Sequence, residues 1–150
     1  MPKQRFVYAI YIAASPEKIF HALTDGPTTR EYWFHENVSD WKVGSKWSHR
    51  RLDGSADDVV GKVVESDPPR RLVTTWAPPS APDDPEQTSR VTFQIETVGG
   101  ASRLVVTHDD LPPEQLEDAA SGWSSVLSSL KSLLETGRSL GDLWSGRHAA

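Results

Sequence analysis

The chain has 150 residues, with 16 basic and 21 acidic side chains and a formal charge of −5 at pH 7. This length predicts one domain with a single core. Cysteine is absent, which excludes a disulfide framework, a thiol nucleophile, an iron–sulfur cluster and a Cys-based zinc site. The acidic balance disfavours a nucleic-acid partner. The apolar run at residues 6–14 is too short for a membrane span, and no signal-peptide pattern follows it, so we expect a cytoplasmic protein.

The N-terminal region predicts one strand followed by two short helices. Residues 6–14 are rich in aromatic and branched side chains, which favours a strand that is apolar on both faces. Ser15-Pro16-Glu17 supplies a helix start, so the first helix is predicted over residues 16–24. A second short helix is predicted over residues 28–34, after the turn at residues 25–27.

The segment from residue 41 to residue 110 predicts an antiparallel meander, because short alternating runs are separated by turn residues. Strands are expected at residues 45–52, 59–67, 71–77, 89–98 and 102–109, with a short one near 38–41. One face of this sheet is apolar and the other carries charged and polar side chains. The loop at residues 77–87, with four prolines, is expected to be exposed.

A long amphipathic helix is predicted over residues 112–136. Its apolar stripe includes Leu116, Trp123, Leu127 and Leu130, and its serines form the opposite face. Gly137 is the expected terminator. The prediction is one domain over residues 1–137 and a polar tail over residues 138–150, with Trp144 as an exposed aromatic.

Several segments carry a family pattern, in order and with consistent spacing. They are residues 12–17 and 22–25, 39–44 with Trp47, 61–65 and 67–72, 75–76, 89–93, 107–108 with 111–112, and 122–123 with 126–127. This arrangement resembles the helix-grip fold of the START-like (SRPBCC) superfamily. Within that superfamily the segments resemble the bacterial proteins homologous to the activator of heat-shock-protein-90 ATPase.

The resemblance implies an α+β helix-grip fold, in which a curved seven-stranded antiparallel sheet wraps around the long C-terminal helix. Two short helices follow the first strand. The resemblance also implies a mostly apolar cavity between the sheet and the helix. It does not imply one chemistry, because relatives include carriers of hydrophobic ligands, aromatic polyketide cyclases and a chaperone cofactor.

The region between the sheet and the helix is rich in wide aromatic side chains, which suit an apolar or aromatic guest. The alternative is that the indoles fill the core and leave no room. The predicted ligand-binding residues are Trp33, Trp47, His49, Thr74, Trp76, Phe93, His108, Trp123 and Leu127.

His49 and His108 fall on the apolar phase of their strands, where an imidazole can orient a ligand or transfer a proton. A structural, hydrogen-bonded histidine is the alternative, which we favour for His108. The sequence has no G-x-S-x-G, no phosphate-binding glycine loop, no G-x-G-x-x-G and no H-E-x-x-H. We therefore assign no catalytic residue, no cofactor and no metal site.

Three functions follow as hypotheses. The first is the binding of a small hydrophobic or aromatic molecule between the sheet and the C-terminal helix. The second is a cyclase or dehydratase of the polyketide type that uses a cavity histidine. The third is an interaction module, either a chaperone partner or a homodimer. The absence of paired carboxylates on one strand face places the enzyme below the binding protein.

Overall fold

The computed structural model describes residues 2–143. Its strands are β1 (Gln4–Ile12), β2 (His35–Val38), β3 (Lys46–Arg51), β4 (Asp57–Asp67), β5 (Arg71–Trp76), β6 (Ser89–Val98) and β7 (Ala101–Leu111). Its α-helices are α1 (Pro16–Thr24), α2 (Gly26–Tyr32) and α3 (Leu116–Thr136), and a 3₁₀ turn (Pro113–Gln115) precedes α3. The strands form one antiparallel sheet in the order β1-β7-β6-β5-β4-β3-β2. The predicted helix-grip fold is confirmed.

The two short helices begin where side chains cap them. The Ser15 hydroxyl accepts from the Lys18 N–H at 3.2 Å, and α1 has the predicted bounds. The Asp25 carboxylate accepts from the Thr28 N–H at 3.2 Å, so α2 begins at Gly26 and not at residue 28. Pro27 lies in the first turn of α2, a position that suits proline because its missing N–H would have no partner there.

The first strand and the second strand both begin and end earlier than the sequence predicts, β1 lying at residues 4–12 rather than 6–14. In β1, Val7 is 53% and Tyr11 is 52% exposed, so this edge strand is apolar on both faces but buries only one. The second strand lies at His35–Val38, where Asn37 pairs with His49, and not near residues 38–41. Trp41 has a φ of 60°, a left-handed conformation that a strand does not accommodate.

The core lies between the concave face of the sheet and α3. The alternating residues predicted to face inward on β6 and β7, Val91, Phe93, Ile95, Leu104 and Val106, are all buried. From α3, Trp123, Leu127 and Leu130 pack against them. Among the described residues, no helix is both long enough and apolar enough to cross a membrane.

The serine face of α3 is not uniformly exposed, which corrects the sequence prediction. Ser125 is 9% and Ser129 is 2% exposed. The Ser129 hydroxyl accepts from the Leu140 N–H at 3.1 Å, and the Ser132 hydroxyl donates to the Arg138 carbonyl at 2.7 Å. Residues 138–140 therefore return along α3 and cover part of this face. Trp144 lies outside the described residues.

Gly61 lies on β4 where three segments come close together. It pairs with Trp47 on β3, and a Cβ atom placed on it would lie 2.0 Å from the Thr75 carbonyl oxygen and 2.5 Å from Trp47 Nε1. The Trp47 indole N–H donates to that same Thr75 carbonyl at 2.8 Å. Only glycine fits here without moving the backbone of β5 or the Trp47 ring.

We expect Gly61→Ala to destabilise the fold by about 3 kcal/mol, since overpacking beside backbone is costly. The melting temperature should fall by roughly 6–12 °C, measured by circular dichroism. The matched control is Gly100→Ala in the β6–β7 turn, where a Cβ meets nothing within 4 Å. Equal melting temperatures for the two variants would show that the close approach at Gly61 does not exist.

Candidate ligand-binding site

Six ring side chains meet at one end of the space between the sheet and α3. We call them the aromatic cluster: Trp33, Trp47, His49, Trp76, His108 and Trp123. They come from the C-terminal cap of α2 and from β3, β5, β7 and α3, so the meander and the long helix must both be folded to assemble them.

Trp76, the last residue of β5, contacts every other ring of the aromatic cluster. Its ring centroid lies 5.3 Å from that of Trp47 and 5.5 Å from that of Trp123. The centroids of His108, His49 and Trp33 lie at 5.6, 6.0 and 6.4 Å. These separations fall in the range in which aromatic rings attract one another.

His108 is held by a continuous chain of hydrogen bonds. The Trp123 indole N–H donates to His108 Nδ1 at 3.0 Å. His108 Nε2–H therefore donates to the Ser89 hydroxyl at 2.7 Å, and that hydroxyl donates to the Trp76 carbonyl at 3.2 Å. Burial lowers the pKa of His108 to about 4, so the imidazole is neutral at pH 7. Both ring nitrogens are engaged, which supports the structural interpretation of this histidine.

His49 is also neutral, but within residues 2–143 only one of its ring nitrogens, Nδ1, makes a hydrogen bond. Burial, and then the nearby His35, hold the pKa of His49 well below its usual range. Its Nδ1–H donates to Asn37 Oδ1 at 2.6 Å. Since Oδ1 of Asn37 accepts this bond, the amide NH₂ of Asn37 points away from His49.

His35 lies against His49 and is itself bound to the ion pair of Asp58 and Arg51. The two imidazole rings stack with centroids 4.0 Å apart. His35 Nε2 lies 2.7 Å from the Asp58 carboxylate, and Nδ1 lies 3.2 Å from the Trp33 carbonyl. Burial raises the pKa of Asp58, but hydrogen bonds from Arg51 and His35 outweigh it and bring that pKa below its usual range. This network ties the edge strand β2 to β3 and β4 beside the aromatic cluster.

A small space of about 10 Å³ lies beside the aromatic cluster, roughly the volume that one water molecule needs. It is lined by Leu23, Trp33, Asn37, Trp41, Trp47, Leu72, Thr74, Trp76 and Phe93. The indoles thus fill most of the region in which the sequence predicts a cavity.

The nine predicted site residues fall into two groups. Trp33, Trp47, Thr74, Trp76 and Phe93 line the space, whereas His49, His108, Trp123 and Leu127 lie outside its lining. Leu127 is fully buried in the core on α3. Sequence reasoning missed four lining residues, Leu23, Asn37, Trp41 and Leu72. The alternation of His35 and Asn37 along β2 is a signal that could have found Asn37.

The space lies next to two segments with strained backbone. Trp33 caps the C-terminus of α2 and is followed by Phe34, whose φ is 56°. Trp41 itself has a φ of 60°. Both indoles are half-buried. Left-handed non-glycine residues cost roughly 1–3 kcal/mol each and concentrate at binding sites and switch regions.

The sequence matches the family model described as Activator of Hsp90 ATPase homolog 1-like protein over residues 13–135. The chain belongs to this family. The aromatic cluster is therefore a feature of a member of this Hsp90-activator-like family, and its rings lie within the matched residues. Among curated proteins, no sequence matches this chain.

Solved structures agree with the family assignment. The Aha1 dimer from Colwellia psychrerythraea is 26% identical, with a TM-score of 0.72 over 89% of this chain and 98% of that chain. An HSP90 activator from Plasmodium falciparum is 26% identical, with a TM-score of 0.72 over 87% of this chain and 95% of that chain. CalU16 from Micromonospora echinospora, at 20% identity and a TM-score of 0.72 over 89% of this chain and 77% of that chain, shows the same fold.

Proposed function

We propose that this protein binds a small hydrophobic or aromatic molecule beside the aromatic cluster, between the sheet and α3. The observation that carries the proposal is the concentration of four indoles and two neutral imidazoles in one cluster, three of whose indoles, Trp33, Trp47 and Trp76, line a small space. Flat rings offer a guest large apolar contact area with little loss of side-chain freedom.

Binding requires the indoles to move, because the empty protein holds about 10 Å³ of space. Trp33 and Trp41 are the side chains that give way, since both are half-buried and both lie on segments with left-handed residues. Burial of the guest's apolar surface compensates for the burial that the displaced indoles lose. The ligand therefore selects or induces an open arrangement.

A larger depression elsewhere fits such a ligand less well. A cleft of about 360 Å³ lies between α1, α2 and the end of α3. Its lining includes Glu17, Lys18, His21 and Glu31 and no ring other than the His21 imidazole. A neutral aromatic guest would desolvate these charged groups without pairing them, which is unfavourable.

Two other functions, and a homodimer, have narrower support. A chaperone partner is supported by the likeness to an HSP90 activator at 26% identity. An enzyme of the polyketide type would depend on His49, because both nitrogens of His108 are already in hydrogen bonds. A homodimer is supported by the Colwellia relative, which is a dimer.

The cytoplasmic location and the bacterial origin stay predictions from the sequence.

A thermal-shift series tests the binding proposal. The probes are neutral aromatic compounds of one to three rings, with indane, indole and flavone as examples, and saturated analogues such as decalin, which show whether the site also binds a non-aromatic hydrophobic guest. A probe at 100 times its dissociation constant should add about 2.7 kcal/mol of stability, a shift of roughly 5–10 °C. Absence of any shift with either series, in folded protein, would contradict the proposal.

A further inference from the structure

Two buried residues in the lining of the small space, Thr74 and Asn37, each carry a polar group that has no partner among the described residues. Thr74, on β5, is 2% exposed, and its hydroxyl makes no hydrogen bond within residues 2–143. Asn37, on β2, is 5% exposed and uses Oδ1 for His49, which leaves its NH₂ without a partner in the same range. Every fully buried side-chain polar atom of this part of the chain is paired. The free groups therefore contact the space that both residues line.

The chemistry of these groups defines what they can hold. The Asn37 NH₂ is only a donor, and the Thr74 hydroxyl can donate. Buried donors without a partner are costly, so a ligand that supplies an acceptor removes that cost. None of the residues lining the space carries a charge. An anionic oxygen would lose its hydration there without a counter-ion, so the matching acceptor is neutral.

We infer that the site recognises aromatic molecules that carry a neutral oxygen acceptor, with an aromatic ketone as the simplest class, and that Asn37 and Thr74 determine this specificity. The inference rests on the proposed function, because it names the ligand class of the same site. His49 acts as a positioning residue, since its Nδ1–H fixes which end of the Asn37 amide faces the space.

The test compares two probes of nearly equal shape, 1-indanone and indane, which differ in one carbonyl. Dissociation constants are measured by calorimetry for wild type, Thr74→Val and Asn37→Leu. Thr74→Val keeps the shape of the side chain and removes only the hydroxyl. The measured quantity is the ratio of the two constants in each protein, because the different hydration of the free probes cancels when proteins are compared.

The matched control is Thr92→Val. Thr92 is 8% exposed on the neighbouring strand β6 and is not among the residues that line the space. We expect Thr74→Val and Asn37→Leu each to reduce the preference for 1-indanone by about 3- to 10-fold, which is the range for one hydrogen bond. Indane affinity should change less than 2-fold, and Thr92→Val should change neither constant. If Asn37→Leu fails to fold, Thr74→Val alone still tests whether the site prefers 1-indanone through a hydrogen bond.

The outcomes separate the two claims. Binding of both probes with a ratio that neither variant changes would overturn the oxygen specificity and leave the proposed function standing. Binding of neither probe to the folded wild type would overturn the aromatic site, and the specificity with it.

Discussion

Replacement of Trp76 by alanine is expected to lower the free energy of unfolding by about 3–5 kcal/mol. The reason is that Trp76 contacts all five other rings of the aromatic cluster, and the void left behind cannot close around rigid neighbours. Urea titration measures the loss. The same void should accept free indole, which at ten times its dissociation constant would restore about 1.4 kcal/mol.

The matched control is Tyr11→Ala, because the Tyr11 side chain is 52% exposed on the outer face of β1. This variant should lose less than about 1 kcal/mol and gain nothing from indole. Should Trp76→Ala prove unable to fold, Trp76→Leu tests the same contacts at smaller cost. Equal stabilisation by indole of wild type and of both Trp76 variants would contradict a void at this position.

Acid is expected to destabilise the protein between pH 6.5 and pH 4. The folded pKa of His108 is about 4, and that of His49 is also lowered. An unfolded histidine has a pKa of about 6.5. The folded state therefore binds fewer protons, so stability is full above pH 6.5 and falls as the pH falls. From pH 7 to pH 5, His108 alone should cost roughly 2 kcal/mol, and His49 adds in the same direction.

Denaturant titrations at several pH values from 7 to 5 measure this slope. His108→Gln removes the titration but keeps an acceptor for the Trp123 N–H and a donor for Ser89, so its slope should be flatter by about one proton. The control is His21→Gln, at a helix position whose side chain is 68% exposed. Identical slopes for wild type, His108→Gln and His21→Gln would contradict the burial of a neutral imidazole at His108.

The fold was largely predictable because the determining signals are local and periodic. The cap at Ser15-Pro16 predicted α1 and the alternation predicted β6, and the observed bounds of both elements match the prediction. The errors occurred at the ends of elements, where the cap or the backbone conformation of a single residue sets the boundary. Asp25 caps α2 earlier than expected, and Trp41 adopts a left-handed conformation that moves β2 toward the N-terminus.

The site was predictable in composition but not in volume. Alternation along β3 and β5 places Trp47 and Trp76 toward the helix, and such patterns are visible in one sequence. The room between the rings depends on rotamers and on how closely α3 approaches the sheet, which no spacing of residues encodes. The role of Asn37 depends on His49, twelve residues away in sequence, and becomes visible only when β2 and β3 are paired.

The most direct measurement of the central claim is a two-dimensional ¹⁵N–¹H spectrum of the labelled protein during titration with 1-indanone. Each indole N–H gives its own signal. If a ligand enters beside the aromatic cluster, the signals of Trp33, Trp41 and Trp76 move together and saturate at one dissociation constant. Saturable binding that leaves all three signals in place would contradict the account, because the guest would then lie elsewhere on the protein.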